Sequence, residues 1–184
     1  MDTRDTVFIS LFAAIMAVLS TVPPVMLPIV AVPITAQSMG TMLAGGVLGA
    51  KRGGLAIVLF LALVALGLPL LSGGRGGLAV FLGPTGGYLV GWVLSAIVTG
   101  FLTERLWHRL TYTVAVVTCA IGGILVLYAA GIPWSAVVAH IPLRVAVMGS
   151  LPFLIGDSLK CLVAAAVIIT VKRAYPLLSS RAGR

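Results

Sequence analysis

The sequence predicts an all-α membrane protein, a six-transmembrane-helix bundle with both termini cytoplasmic. Three observations carry that prediction. The 184-residue chain is 60% hydrophobic and 9% charged, and a soluble domain of this length cannot cover so much apolar surface with so thin a polar coat. Six apolar runs come near the roughly 20 residues that a helix needs to cross a bilayer. The basic residues gather in the breaks between alternate runs.

The runs are residues 6–22, 34–50, 54–71, 84–103, 112–131 and 150–171. The leader MDTRD mixes two acids with one base, and further apolar runs follow it, so the first run reads as an uncleaved helix rather than a signal peptide. Pro23, Pro24, Pro28 and Pro33 make residues 23–33 an irregular crossing. Lys51, Arg52, Gly53 and Gly54 read as a tight turn between the second and third helices. The stretch SGGRGGLAVFLGP (72–84) is a glycine-rich loop, and ERLWHR (104–109) ends the fourth helix. GIPWSAVVAHIPLRVAVMG (131–149) forms the fifth connection, apolar enough to include a short interfacial or re-entrant helix. Residues 1–184 thus read as a single integral membrane domain.

Orientation follows from the basic residues. Arg4, Lys51, Arg52, Arg105, Arg109, Lys172, Arg173, Arg181 and Arg184 fall on one side, against Arg75 and Arg144 on the other, with Lys160 inside a helix. The positive-inside rule makes the side with nine cytoplasmic. Trp107 and Tyr175 are expected as interfacial anchors on that side and Trp134 on the other.

Several function classes fall away. The net charge of +8 lies in short clusters between apolar runs, which disfavours a nucleic-acid surface. Cys119 and Cys161 sit in apolar segments without metal or redox spacing, and read as buried thiols. His140 and Arg144 have no second histidine nearby to build a ligand set, and belong to an exposed or interfacial segment. No GxxxxGK[ST] loop is present, and the GGRGG stretch matches a phosphate cradle only in its glycines. No cofactor motif, metal set or credible nucleophile supports an enzyme.

The polar residues inside the apolar runs are the informative ones. Asp157 and Lys160 lie in PFLIGDSLKCLVAAAVIIT, three residues apart on one helix face. An ionisable group at mid-membrane costs about 2.5–3.5 kcal/mol even on insertion scales. The pair can simply neutralise itself and hold the bundle, but desolvation often exceeds the attraction in a buried ion pair. Thr35 and Gln37, Thr85 and Tyr88, and Arg75 of the glycine-rich loop fall at the same outer level, whereas the cytoplasmic halves of these helices read as almost purely aliphatic. The rival readings are cross-helix hydrogen bonds for Thr35, Gln37 and Thr85, and a solvated loop charge for Arg75. A shared pocket of this composition suits a small amphipathic ligand with an acid at one end and a polar N–H group at the other.

The stretches VPITAQSMGTMLAGGVLGAKRG, GLPLLSGGRGGLAVFLGPTGGYLVGW and LPFLIGDSLK resemble the BioY family, the biotin-binding S components of energy-coupling-factor (ECF) transporters. The resemblance covers nearly the whole chain. It implies high-affinity capture of biotin at the outer face of the cytoplasmic membrane, with a coupling transmembrane protein and ABC ATPase subunits as partners, membrane lipid around it, and no cofactor. By resemblance, Asp157 receives ureido N–H groups and Lys160 meets the carboxylate. Thr35, Gln37, Thr85 and Arg75 complete the polar lining, and Tyr88 packs on the ring. Ile155 stands where the family often has Pro. Ala13 and Ala17 form the Ala-x-x-x-Ala spacing that, in S components, docks the coupling protein. Gly45 with Gly49, and Gly87 with Gly91, share that spacing and are expected to pack internally. The rival function is a self-contained secondary transporter for a small carboxylate-bearing vitamin, with Asp157 as a proton site.

Overall fold

The computed structural model describes residues 2–23, 35–175 and 177–178. Of the crossing, Pro24, Pro28 and Pro33 lie outside the described residues, as do Arg181 and Arg184.

Helix α1 (Thr3–Leu19) buries Ile9, Phe12, Ala13 and Met16, the stripe that i, i+3, i+4, i+7 spacing creates on one face. Helix α2 (Gln37–Leu48) is enclosed almost all round, with Thr41, Met42 and Ala44 at 0% exposure, and forms the centre of the bundle. Its small residues permit this. A Cβ on Gly45 would strike the backbone of Ala96 and Gly100, and one on Gly46 would strike Ile168.

The turn after α2 falls at Gly49, not at 51–54. Gly49 adopts φ 86°, and helix α3 (Ala50–Ala65) takes in Lys51, Arg52, Gly53 and Gly54. The bare Cα of Gly53 lets α3 pack against the Ala44 carbonyl of α2, where a Cβ would clash. Helix α3 stops at Ala65, short of residue 71, where Gly67 turns left-handed at φ 101° and Pro69 follows.

A four-residue helix, α4 (Ala79–Leu82), lies inside the expected loop, and α5 (Gly86–Arg105) follows. Beyond a 3-10 turn (Trp107–Arg109), α6 (Tyr112–Val138) runs past the expected end at 131 and through Pro133, with π geometry over Ile121–Val126. Two bonds hold this extension against the start of α5: Trp134 Nε1 donates to Gly83 O at 2.9 Å and Ser135 Oγ to Pro84 O at 2.6 Å. Gly87 and Gly91 face Trp134 and Leu127 across the same seam. A short helix, α7 (Leu143–Ser150), with His140 and Arg144 exposed on this connection, leads into α8 (Phe153–Ala174).

Among the described residues, α5, α6 and α8 are long and apolar enough to cross a membrane, at mean hydropathies of 1.5, 2.2 and 2.0. Their outer faces carry Leu94, Phe101, Val117, Leu159 and Val163, side chains that water would not tolerate in such density.

The helices alternate in direction, so one end of the bundle gathers the basic residues. Arg52 pairs with Asp5 at 2.5 Å, Glu104 accepts from the Ala50 N–H at 3.0 Å, and Arg4 donates to the Tyr175 hydroxyl. Lys172 Nζ donates to the carbonyls of Trp107 and Leu110 at 2.9 and 3.1 Å. Trp107 is buried beneath that ammonium instead of reaching outward as an anchor. The basic half of the core is also more polar than expected. Ser95, Thr99 and Thr103 recur about once per turn on the buried face of α5, where Ser95 meets Thr41 of α2 and Thr99 meets the bare Cα of Gly122 of α6.

Candidate ligand-binding site

The opposite end holds a hollow that encloses about 610 Å³ when the space at its open mouth is included. It is lined by Thr35, Gln37, Arg75, Thr85, Tyr88, Asp157 and Lys160, all seven of the residues singled out in the sequence. Leu71, Leu89, Trp92, Leu127 and Phe153 supply apolar wall, and Ser38 and Tyr128 add polar groups.

Helix α8 carries the ionic pair in its first two turns. Lys160 Nζ lies 2.6 Å from Asp157 Oδ1, the contact that i, i+3 spacing allows, with the two side chains 15% and 7% exposed. Tyr128 of α6 donates to Asp157 Oδ2 at 2.7 Å, and Lys160 also donates to Ser38 Oγ of α2 at 3.0 Å. Three helices therefore meet in one network: each carboxylate oxygen has a donor, and the ammonium keeps one N–H unspent. Such satisfaction is what makes a buried pair tolerable.

Tyr128 and Ser38 escaped sequence reasoning. Ser38 stands directly beside Gln37, so its signal was adjacency. Tyr128 had only the weak signal of a hydroxyl in an aliphatic run.

Across the hollow, Tyr88 lays its ring on the bare Cα of Gly131, and its hydroxyl lies 3.5 Å from Ser150 Oγ. Thr85 makes a 3.4 Å bond to Val80 O. Arg75 sits on a tight hairpin closed by Leu71 and Arg75, with Gly73 and Gly74 at its tip at φ 81° and 69°. Its Nε donates to Ser72 O at 3.3 Å, and no carboxylate pairs with it among the described residues. Counting Asp157, Lys160 and Arg75, the lining carries one net positive charge.

Ala13 and Ala17 do not form one outward surface. Ala13 is 4% exposed, packed in the core between Phe12 and Met16, while Ala17 is half-buried. The stripe of α1 that meets the bundle includes Ala13. Among the described residues no group of three or more His, Cys, Asp and Glu could hold a metal, and Cys119 and Cys161 are buried and free.

A multi-pass helical membrane protein with a polar-lined hollow at one end belongs to the class that holds small molecules for passage across a membrane. The BioY family model matches residues 1–177, and this chain belongs to the BioY family. The biotin transporter BioY of Rhizobium etli is 52% identical over 187 residues, covering 99% of this chain and 100% of its own length. The Rhodobacter capsulatus biotin transporter BioY is 44% identical, covering 94% of this chain and 95% of itself. A solved structure of the S-component for biotin from an ECF-type ABC transporter superposes with a TM-score of 0.89 at 30% identity, covering 94% of this chain and 95% of that one.

Proposed function

We propose that this chain captures biotin at the hollow and serves as the substrate-specific S component of an ECF-type ABC transporter. The observation that carries the reading is the charge arrangement: a largely buried Asp157–Lys160 pair with hydrogen-bonding capacity to spare on one wall, and an acid-free Arg75 on another. Biotin has one carboxylate, a hydrocarbon chain, and a ureido ring with two N–H donors and one carbonyl. A lining of net charge +1 suits one carboxylate.

The pairing also refines which group reads which. Asp157 neutralises Lys160, so the free cationic character of the site resides on Arg75. Its terminal nitrogens can grip a carboxylate with two parallel bonds. The remaining lone pairs of Asp157 accept ureido N–H groups, and the spare N–H of Lys160 donates to the ureido carbonyl. Tyr88, Trp92 and Phe153 enclose the ring and chain.

In this reading the chain is one membrane-embedded binding unit of six spanning helices in the cytoplasmic membrane. The basic end, with both termini, is cytoplasmic by the positive-inside rule, and the hollow faces outward. A coupling transmembrane protein and ABC ATPase subunits supply the energy that empties the hollow inward, and Asp157 carries no proton cargo. Uptake of radiolabelled biotin into cells making the chain with and without those subunits tests this. Efficient uptake that requires the ATPases and ignores an imposed proton gradient is expected. Uptake driven by the gradient alone would favour a secondary transporter.

A further inference from the structure

Gln37 lines the hollow, yet its amide is already fully engaged. Its Nε2 donates to Met16 O at 3.1 Å and to Leu70 O at 2.9 Å. Its Oε1 accepts from the Ser72 N–H at 2.9 Å and from Ser72 Oγ at 3.1 Å. A carboxamide has two N–H donors and an oxygen with two lone pairs, so all four positions are taken. The residue is 1% exposed.

Each partner is a group the fold would otherwise strand. Met16 lies in the last turn of α1, where carbonyls lose their helical donors. Leu70 to Ser72 is non-helical backbone, buried at Leu71 and Ser72, and such backbone must find hydrogen bonds. That stretch is the first arm of the hairpin that carries Arg75. Leu71 and Arg75 exchange N–H···O bonds of 3.0 and 3.2 Å, and the Ser72 carbonyl accepts from Arg75 Nε. One chain of contacts therefore runs from the Gln37 amide through Ser72 to the guanidinium.

We propose that Gln37 is a positioning residue: it sets Arg75 toward the ligand carboxylate through the Leu71–Arg75 hairpin and does not itself contact the ligand. The choice of ligand rests on the biotin reading; the positioning does not.

Two assays on the full chain separate these. The first needs no ligand. Arg75→Cys introduces a thiol at the hairpin, and its reaction with a hydrophilic maleimide is timed with and without Gln37→Met; the buried Cys119 and Cys161 set the background, measured on the parent chain. Modification several-fold faster with Gln37→Met is expected, and equal rates would overturn the positioning role. The second measures affinity for biotin and for its neutral primary amide. Arg75→Gln and Gln37→Met should each weaken biotin by about tenfold or more, with a distinctly smaller loss on the amide. The double variant should lose no more than Arg75→Gln alone. Equal losses on both ligands for Gln37→Met, or additive losses in the double variant, would overturn the proposal.

If Gln37→Met does not fold, Ser72→Ala removes only the hydroxyl bond to Oε1. It should shift both assays in the same direction by less, and a shift in neither would overturn the proposal. A wild-type chain that ignores biotin would refute the functional reading and leave the thiol rates to decide the role of Gln37.

Discussion

The hydroxyl of Tyr128 donates to Asp157 Oδ2 at 2.7 Å, so the carboxylate on α8 is held by α6 as well as by its own helix neighbour. Tyr128 and Lys160 take one oxygen each, which fixes the plane of the carboxylate and leaves its outer lone pairs aimed in a defined direction. Tyr128→Phe keeps the ring and removes the donor. Biotin affinity measured by calorimetry should fall by about 1–3 kcal/mol, the usual cost of stranding a buried acceptor. Unchanged affinity would mean that the orientation of Asp157 is set elsewhere.

The ion pair itself makes a sharper thermodynamic prediction. Lys160→Met leaves Asp157 buried and without its cation, a loss of about 3–5 kcal/mol in stability where a buried pair is broken on one side. Adding Asp157→Asn removes the stranded charge. The double variant should therefore melt at a higher temperature than Lys160→Met alone, while binding biotin poorly. Thermal unfolding in detergent reads this order, and the reverse order would mean that the pair is too well hydrated to count as buried.

Gly131 tests the apolar side of the hollow. A methyl there runs into the Tyr88 ring. Gly131→Ala should push Tyr88 toward the ligand space and cost about 1–3 kcal/mol as overpacking, shared between stability and biotin affinity. Melting and calorimetry on the same preparation divide the loss, and no loss in either would mean that the ring moves freely.

The helices stand out in the sequence because apolar runs and basic breaks differ sharply in composition, and Thr35, Gln37, Thr85, Asp157 and Lys160 stand out because polar groups are rare inside such runs. Facing direction is less visible. Ala13 gives no sign of pointing inward, since alanine suits either side of α1, and only packing with Phe12 and Met16 decides it. The turn at Gly49 is hidden because Lys51–Gly54 offers a stronger-looking break, and the glycines there serve close packing of α3, Gly53 against Ala44 and Gly54 against Ile97. The fifth apolar run reads as ending at 131, yet the helix continues through Pro133, where Trp134 and Ser135 bond across to Gly83 and Pro84. Tyr128 belongs to the same category, because a tyrosine aimed at a partner and one aimed at lipid look alike in one dimension.

Lys172 offers a contrast far from the hollow. It donates to two carbonyls that follow α5 and rests over the Trp107 ring at 5.1 Å. Lys172→Met should lower stability by about 1–3 kcal/mol through those stranded carbonyls and leave biotin affinity unchanged. A changed affinity in this variant would reveal coupling between the two ends of the bundle.

The central claim is that the space between the Asp157–Lys160 pair and Arg75 holds biotin. Calorimetric titration of biotin into the purified chain, beside Asp157→Asn, tests it most directly. One biotin per chain is predicted for the wild type, with affinity reduced by about 1.5–3 kcal/mol when the charged acceptor is lost. A wild-type chain that gives no binding heat, or an Asp157→Asn chain that binds biotin as tightly as the parent, would contradict it.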